Sequence, residues 1–174
     1  MSIEILAGLG LLIIVWVIWS YNRMISLKNR VVAAWSDVDV QLQRRFDLVP
    51  NLIEVVKGYC DHERETLTKL AQRWSAQEQA IDSRVNQENQ LSQAMGKLIA
   101  VAEDYPQLWA SDQFQTLHKA LVEVEDYLQY ARRYYNGSVR DFNIRLSSFP
   151  DILVARWFGF QNADFFEVES ALQR

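Results

Sequence analysis

Residues able to do chemistry are few in this chain. Histidine occurs twice and cysteine once. His62-Glu63 resembles the opening of a zinc-protease helix, which places a second histidine four residues after the first as a metal ligand. Position 66 is Thr66. A di-iron helical bundle places Glu three residues before His, so that both project into one core. The residues at that offset from His62 and His118 are Tyr59 and Gln115. Cys60 and His62, two apart, fall on different faces of a helix and do not make a nucleophile–base pair there. No phosphate-cradling glycine loop, dinucleotide turn or nucleophile elbow occurs. A lone cysteine also excludes an internal disulfide and a four-cysteine zinc site. The expectation is no catalytic residue, no cofactor, no metal, and no enzyme. Scattered carboxylates are the one unmarked route to catalysis.

Other polar residues have a spacing that specifies geometry. Asn136 and Asn143 are seven apart, each directly after an aromatic residue, and Asn22 and Asn29 repeat the interval. Two readings stand: a buried Asn that fixes register at some cost in stability, or an Asn beside the seam, partly solvated. Arg44 and Arg45 come just before Asp47 and Pro50. Asp47, or a later acid such as Glu123, is a candidate partner for one arginine. Such pairs fix geometry more than they stabilise it.

These groups need elements to position them, and composition says which. The 174 residues contain six glycines and three prolines, where average usage would give about twenty. Sandwiches and barrels need more turn residues than that. The apolar fraction, 49%, is too high for disorder, and the net charge of −4 argues against a dedicated nucleic-acid binder. Long helices remain. Six Trp, seven Tyr and eight Phe are an aromatic surplus for a chain this small.

Ile5–Trp19 reads ILAGLGLLIIVWVIW, without a charge. With Ile3, and Glu4 tolerated, it approaches about seventeen residues, the short end of a membrane span. It is apolar all round, unlike a core helix with a polar stripe. It lacks the basic start and small-residue cleavage site of a signal peptide. The residues expected in the membrane are Ile5, Leu6, Leu9, Leu11, Leu12, Ile13, Ile14, Val15, Trp16, Val17, Ile18 and Trp19. Tyr21, Arg23, Lys28 and Arg30 follow at headgroup level. Aromatic residues at the end of the run form an interfacial belt, and the basic flank places residues 21–174 in the cytoplasm with the N-terminus outside.

The expected fold is all-α: an anchor at 1–20, an antiparallel up-down bundle of about four long helices at 21–150, and an aromatic segment at 151–174. The first helix continues from the anchor with Leu27, Val31, Ala34, Val38 and Leu42 on one face. A break falls at 45–50, with Asp47 as N-cap and Pro50 in the next helix's first turn. The second helix runs from there to about Trp74 and fades into the polar stretch 75–88, helix or loop. A third carries Leu91 to Ala102 and stops near Pro106. A fourth starts at Ser111 or Asp112 and holds a heptad seam from Phe114 to Phe149, with one stutter beside Gly137. Pro150 ends it. The tail, with Trp157, Phe158 and Phe160, is either a short helix capping the membrane-proximal end or an interfacial segment touching headgroups.

Along this frame the chain resembles the LemA family of bacterial membrane-anchored proteins. The matching stretches are Tyr21-Asn22, WSDVDVQLQRRFDLVPNL at 35–52, KGY at 57–59, HE at 62–63 and EDYP at 103–106. AR at 131–132, YYN at 134–136, FN at 142–143 and FP at 149–150 complete them. Phe46, Cys60 and Trp109 depart from the family pattern. The resemblance implies a single span followed by an antiparallel helical bundle, and no catalytic set. Genes of some members near membrane metalloproteases, and a branch similar to magnetosome proteins, point to membrane organisation. The expected role is a self-associating scaffold on membrane lipid. The alternative is an adaptor of a membrane metalloprotease or envelope-stress system.

Overall fold

The computed structural model describes residues 2–59, 68, 95–96, 98–100 and 102–166. Cys60, His62, most of the expected second helix beyond Tyr59, the polar stretch 75–88 and residues 167–174 lie outside them. The described residues are all-α. The helices are α1 (Ser2–Tyr59), α2 (Pro106–Trp109), α3 (Asp112–Ser147) and α4 (Asp151–Trp157), with further helical residues at 95–96, 98–100 and 102–104.

α1 corrects the expected break. It runs as one helix of 58 residues through Pro50, so the chain does not turn back at 45–50. An interior proline loses the bond to the carbonyl four residues back, here Phe46, and its ring crowds that carbonyl, costing about 3 kcal/mol. Burial on either side offsets the loss. Val49, Leu52, Ile53 and Val56 are at most 1% exposed, and a fully buried aliphatic side chain contributes about 1.5–3 kcal/mol. Pro50 itself faces outward. The buried positions keep helical phase across it: Met24, Leu27, Val31, Ala34 and Val38, then Arg45, Val49, Leu52 and Val56. Asp47 sits mid-helix, accepting from Gln43 Nε2 at 2.9 Å instead of capping an N-terminus.

α3 begins and ends close to where the pattern places it. The Ser111 carbonyl accepts from Gln115 N, and Phe114, Leu121, Val124, Leu128, Val139, Phe142 and Leu146 form its buried seam. At its end the hydroxyls of Ser147 and Ser148 donate back to the Ile144 carbonyl, at 3.0 and 2.7 Å. After a cis Phe149–Pro150 bond the chain enters α4. α4 stops on Gly159, which has φ +70. Phe160 N donates to Ala155 O and Gly159 N to Arg156 O, the paired bonds of a glycine-terminated helix end.

The chain divides into two compact units. In the first, drawn from 1–39 and 130–167, Met24, Leu27 and Val31 of α1 meet Val139, Phe142 and Leu146 of α3 and Val154 and Ala155 of α4. Trp35 lies against Tyr135 and Trp19 under the Arg145 guanidinium, so α1 and α3 run in opposite directions there. In the second, drawn from the described residues between 40 and 129, Val49, Leu52, Ile53 and Val56 pack with Leu98, Ala102, Leu108, Phe114 and Leu121.

Replacing Pro50 by Ala restores the missing bond in a continuous helix. Pro50→Ala is expected to stabilise the chain by about 1–3 kcal/mol, or roughly 2–4 °C in Tm per kcal/mol. Thermal melts of the full chain in detergent check this; an unchanged or lower midpoint would contradict an unbroken α1.

Candidate functional site

The polar residues of the first unit converge where the apolar run of α1 ends. Ser20 is fully buried, and its hydroxyl donates to Asp151 Oδ1. Arg145 Nε of α3 lies 2.9 Å from the other carboxylate oxygen, Oδ2. The Arg145 guanidinium also covers the Trp19 ring, 5.1 Å from its centroid. One carboxylate thus joins three helices. Asp151 occupies the first turn of α4, where the helix dipole also favours a negative charge. Beside this lock, Tyr21 packs on Phe158 at 4.7 Å and on Phe160 at 5.7 Å, and Phe160 meets Phe142 at 6.4 Å.

Asn136 and Asn143 hold the segment after α4 against α3. Asn143 Nδ2 donates to Ala163 O and Ala163 N donates to Asn143 Oδ1, both at 2.9 Å. Asn136 Nδ2 donates to Phe166 O at 3.1 Å, and Phe166 N donates to Asn136 Oδ1 at 2.8 Å. Each side-chain amide stands in for the edge of a strand. The rise fits: seven helical residues advance about 10.5 Å, and three extended residues about 10 Å. Between the clamps Tyr135 Oη donates to Asp164 O at 2.9 Å. Burial, with the Asp164 carboxylate second, pushes the Tyr135 phenol above its ordinary value. A raised phenol keeps its stabilising effect below about pH 10 and loses it only as pH climbs through the higher folded value. Trp35 and the Arg132 guanidinium flank Phe166, at 6.0 and 5.0 Å.

In the second unit, Arg45 takes a seam position at 4% exposure. Its Nη2 lies 3.2 Å from Glu125 Oε2; neither Glu123 nor Asp47 is that partner. Burial pulls the Arg45 guanidinium below its ordinary value and Glu125 opposes the shift. Arg44 and Pro50 are exposed.

These arrangements position backbone and helices. Ser20 beside a carboxylate has the composition of a nucleophile and base, and it is fully buried. His118 is half-buried against Trp109 at 5.6 Å and Phe114 at 6.0 Å. Among the described residues, no group of three or more His, Cys, Asp or Glu is placed to hold a metal ion. Ile5, Leu6, Leu9, Leu11, Leu12, Ile13, Ile14, Val15, Ile18 and Trp19 are exposed, while Trp16 and Val17 lean on the first unit's core. Arg23, Lys28 and Arg30 are exposed and Tyr21 half-buried. Sequence reading did not single out Ser20, Arg145 or Asp151. Ser20 alone carried a faint signal, as the first polar residue after the run.

The clamps and the buried pair give two tests. Asn136→Ala with Asn143→Ala should cost about 1–2 kcal/mol per clamp and speed hydrogen exchange at the Ala163 and Phe166 amides; unchanged protection there would dismiss the clamps. Glu125→Gln leaves a buried guanidinium without its carboxylate and should destabilise by about 1–2 kcal/mol, tempered because Glu125 is partly exposed, whereas Arg45→Met should be near neutral. Chemical denaturation of both variants reads this, and equal losses would contradict it.

The LemA family model matches residues 34–174, a stretch that takes in most of the second half of α1 and all of α2, α3 and α4. The chain is 24% identical over 179 aligned residues to magnetosome proteins MamQ 2 and MamQ 1 of Paramagnetospirillum magneticum, covering 87% of this chain and 66% of each relative. It thus spans just under two thirds of the length of those relatives. To Protein LemA of Metamycoplasma hominis it is 26% identical over 150 residues, covering 84% of this chain and 68% of that protein. These names are not enzyme names. With the family model covering the helices that carry both cores, the chain belongs to the LemA family.

Proposed function

We propose that this chain is a non-enzymatic, membrane-anchored scaffold that self-associates and organises partners at the cytoplasmic face of the bacterial inner membrane. The observation that carries the reading is the absence of a linker: the apolar run passes at Ser20 straight into the packed part of the same helix. Ile5 and Leu12 are each 66% exposed, so among the described residues little protein surface covers the run before Trp16 and Val17, and lipid is the solvent that suits it. Among the described residues, α1 is the helix long and apolar enough to cross a bilayer.

Trp19 and Tyr21 suit the interface, and Arg23, Lys28 and Arg30 suit anionic headgroups, each contributing about 1 kcal/mol near the surface. The same basic flank favours a cytoplasmic body. Exposed Tyr130 and Tyr134, four apart on α3, offer a face for a second copy. Lateral confinement raises the effective concentration of such weak contacts. The LemA and magnetosome relatives, whose names specify no reaction, are in keeping with a role in organisation.

Mass photometry of the full chain in nanodiscs is expected to show a homo-oligomer that Tyr130→Ser with Tyr134→Ser weakens. A clean monomer for the unaltered chain would overturn self-association. A periplasm-sensitive reporter fused after Arg174 is expected to stay silent, and an active one would overturn the cytoplasmic placement.

A further inference from the structure

We infer that α4 is a second membrane contact: Leu153 and Trp157, with Phe149 just before the helix, dip into the headgroup–acyl boundary of the bilayer that α1 crosses. The inference rests on α1 being in lipid. Trp157 is 87% exposed, Phe149 83% and Leu153 58%. An exposed Trp and Phe of that extent are unusual unless a surface receives them. Leu153 and Trp157 are four apart and share one face of α4. Val154, Ala155 and Asp151 take the opposite side into the core.

The occupant follows from where α4 is held. Ser20 and Arg145 grip Asp151, and Tyr21 meets Phe158 at 4.7 Å. These contacts set α4 level with the last turn of the apolar run. Trp16 and Val17, which belong to that run, lean on the same cluster that contains Val154 and Ala155. Any bilayer that surrounds Ile5–Trp19 therefore has its boundary beside α4. Length points the same way. The charge-free run gives about 22 Å of helix, against a hydrocarbon core of about 30 Å. A bilayer that closes over part of α4 makes up some of that difference. The exposed cation on the helix, Arg156, suits anionic headgroups. The Gly159 turn and the Asn143 clamp on Ala163 fix the wedge against α3. Phe160 is half-buried against Tyr21 and Phe142 and belongs to the support.

The test uses the full chain with Cys60→Ser, reconstituted in vesicles of neutral and anionic phospholipid. A single environment-sensitive label is introduced by Leu153→Cys, by Ile14→Cys as the span control, or by Tyr127→Cys as the water control. At 153 the expected result is emission shifted to shorter wavelength than at 127, loss of quenching by aqueous iodide, and quenching by nitroxide carried on the lipid. A label at 153 as open to iodide as the one at 127 overturns the wedge. So does a 153 label shielded from iodide yet untouched by lipid nitroxide, which marks a protein partner or a second copy on that face. A label at 14 that is also open to iodide overturns the anchored reading itself, and the wedge with it. In the unlabelled protein, Trp157→Phe is expected to lower the share of tryptophan fluorescence quenched by brominated lipid. An unchanged share counts against the wedge.

Discussion

The hydrogen-bond ladder of α1 runs from Ser2 to Tyr59 with one donor missing, at Pro50. Both hydrophobic cores draw residues from this helix: Met24, Leu27 and Val31 for one, Val49 to Val56 for the other. A helix holds the angular relation of its side chains only while its ladder is intact. The proline is tolerated because it faces water, and because the apolar residues flanking it each contribute an energy comparable with the lost bond. The same requirement holds inside a bilayer, where no water satisfies a free carbonyl or amide. One backbone conformation would thus suit lipid and protein core in turn, as the proposed anchoring requires.

The boundary is where charge is hardest to place, and the pairing there reflects it. A carboxylate with a side chain 6% exposed is tolerable only with its oxygens satisfied. Ser20 and Arg145 each take one. Arg145 is doubly used, because its face also lies over Trp19. A guanidinium suits this position better than an ammonium: it is planar, weakly hydrated and able to stack on a ring while paired with a carboxylate. The Asn clamps solve a different problem. Among the described residues the segment from Ala163 to Phe166 has no neighbouring strand, so its backbone groups need partners on the helix surface. Two carboxamides, each a donor beside an acceptor, replace a strand edge at the two points where helical and extended rise coincide.

Legibility in the sequence followed the range of each signal. α3 was readable because its apolar residues repeat within a turn or two, and its ends carry Asp112 and Pro150. The break assigned at 45–50 came from equally local evidence: Asp47 and Pro50 are a sound N-cap and first-turn pair. What overrides them is phase. Arg45, Val49, Leu52 and Val56 continue the stripe of Leu27 to Val38, a fact visible only across thirty residues and disguised by an arginine in an apolar position. Asn136 and Asn143 were visible as a spacing, but their partners are backbone atoms of a tail, which leave no mark in sequence. The Ser20–Asp151 bond spans 131 positions and joins two residue types that are ordinary on any surface. No local pattern reports such a pair; only the packing of α4 against α1 creates it.

The arrangement has a consequence for where weak interactions are effective. A chain tethered by a flexible linker samples many orientations, and each contact it makes must first overcome that freedom. In the first unit, α1 leaves its apolar run without a linker; α4 is pinned to it by the Ser20–Asp151 bond, α3 by Arg145 over Trp19, and α3 to α4 by the Arg145–Asp151 ion pair. If lipid holds that run, the faces of this unit meet neighbours from a restricted set of directions. Confinement to a plane adds to the restriction. A face as modest as Tyr130 and Tyr134 then needs little intrinsic affinity, because most of the orientational entropy has already been lost to the anchor. Were that run held in lipid, a rigid junction of this kind would let weak lateral contacts suffice to bring neighbours together.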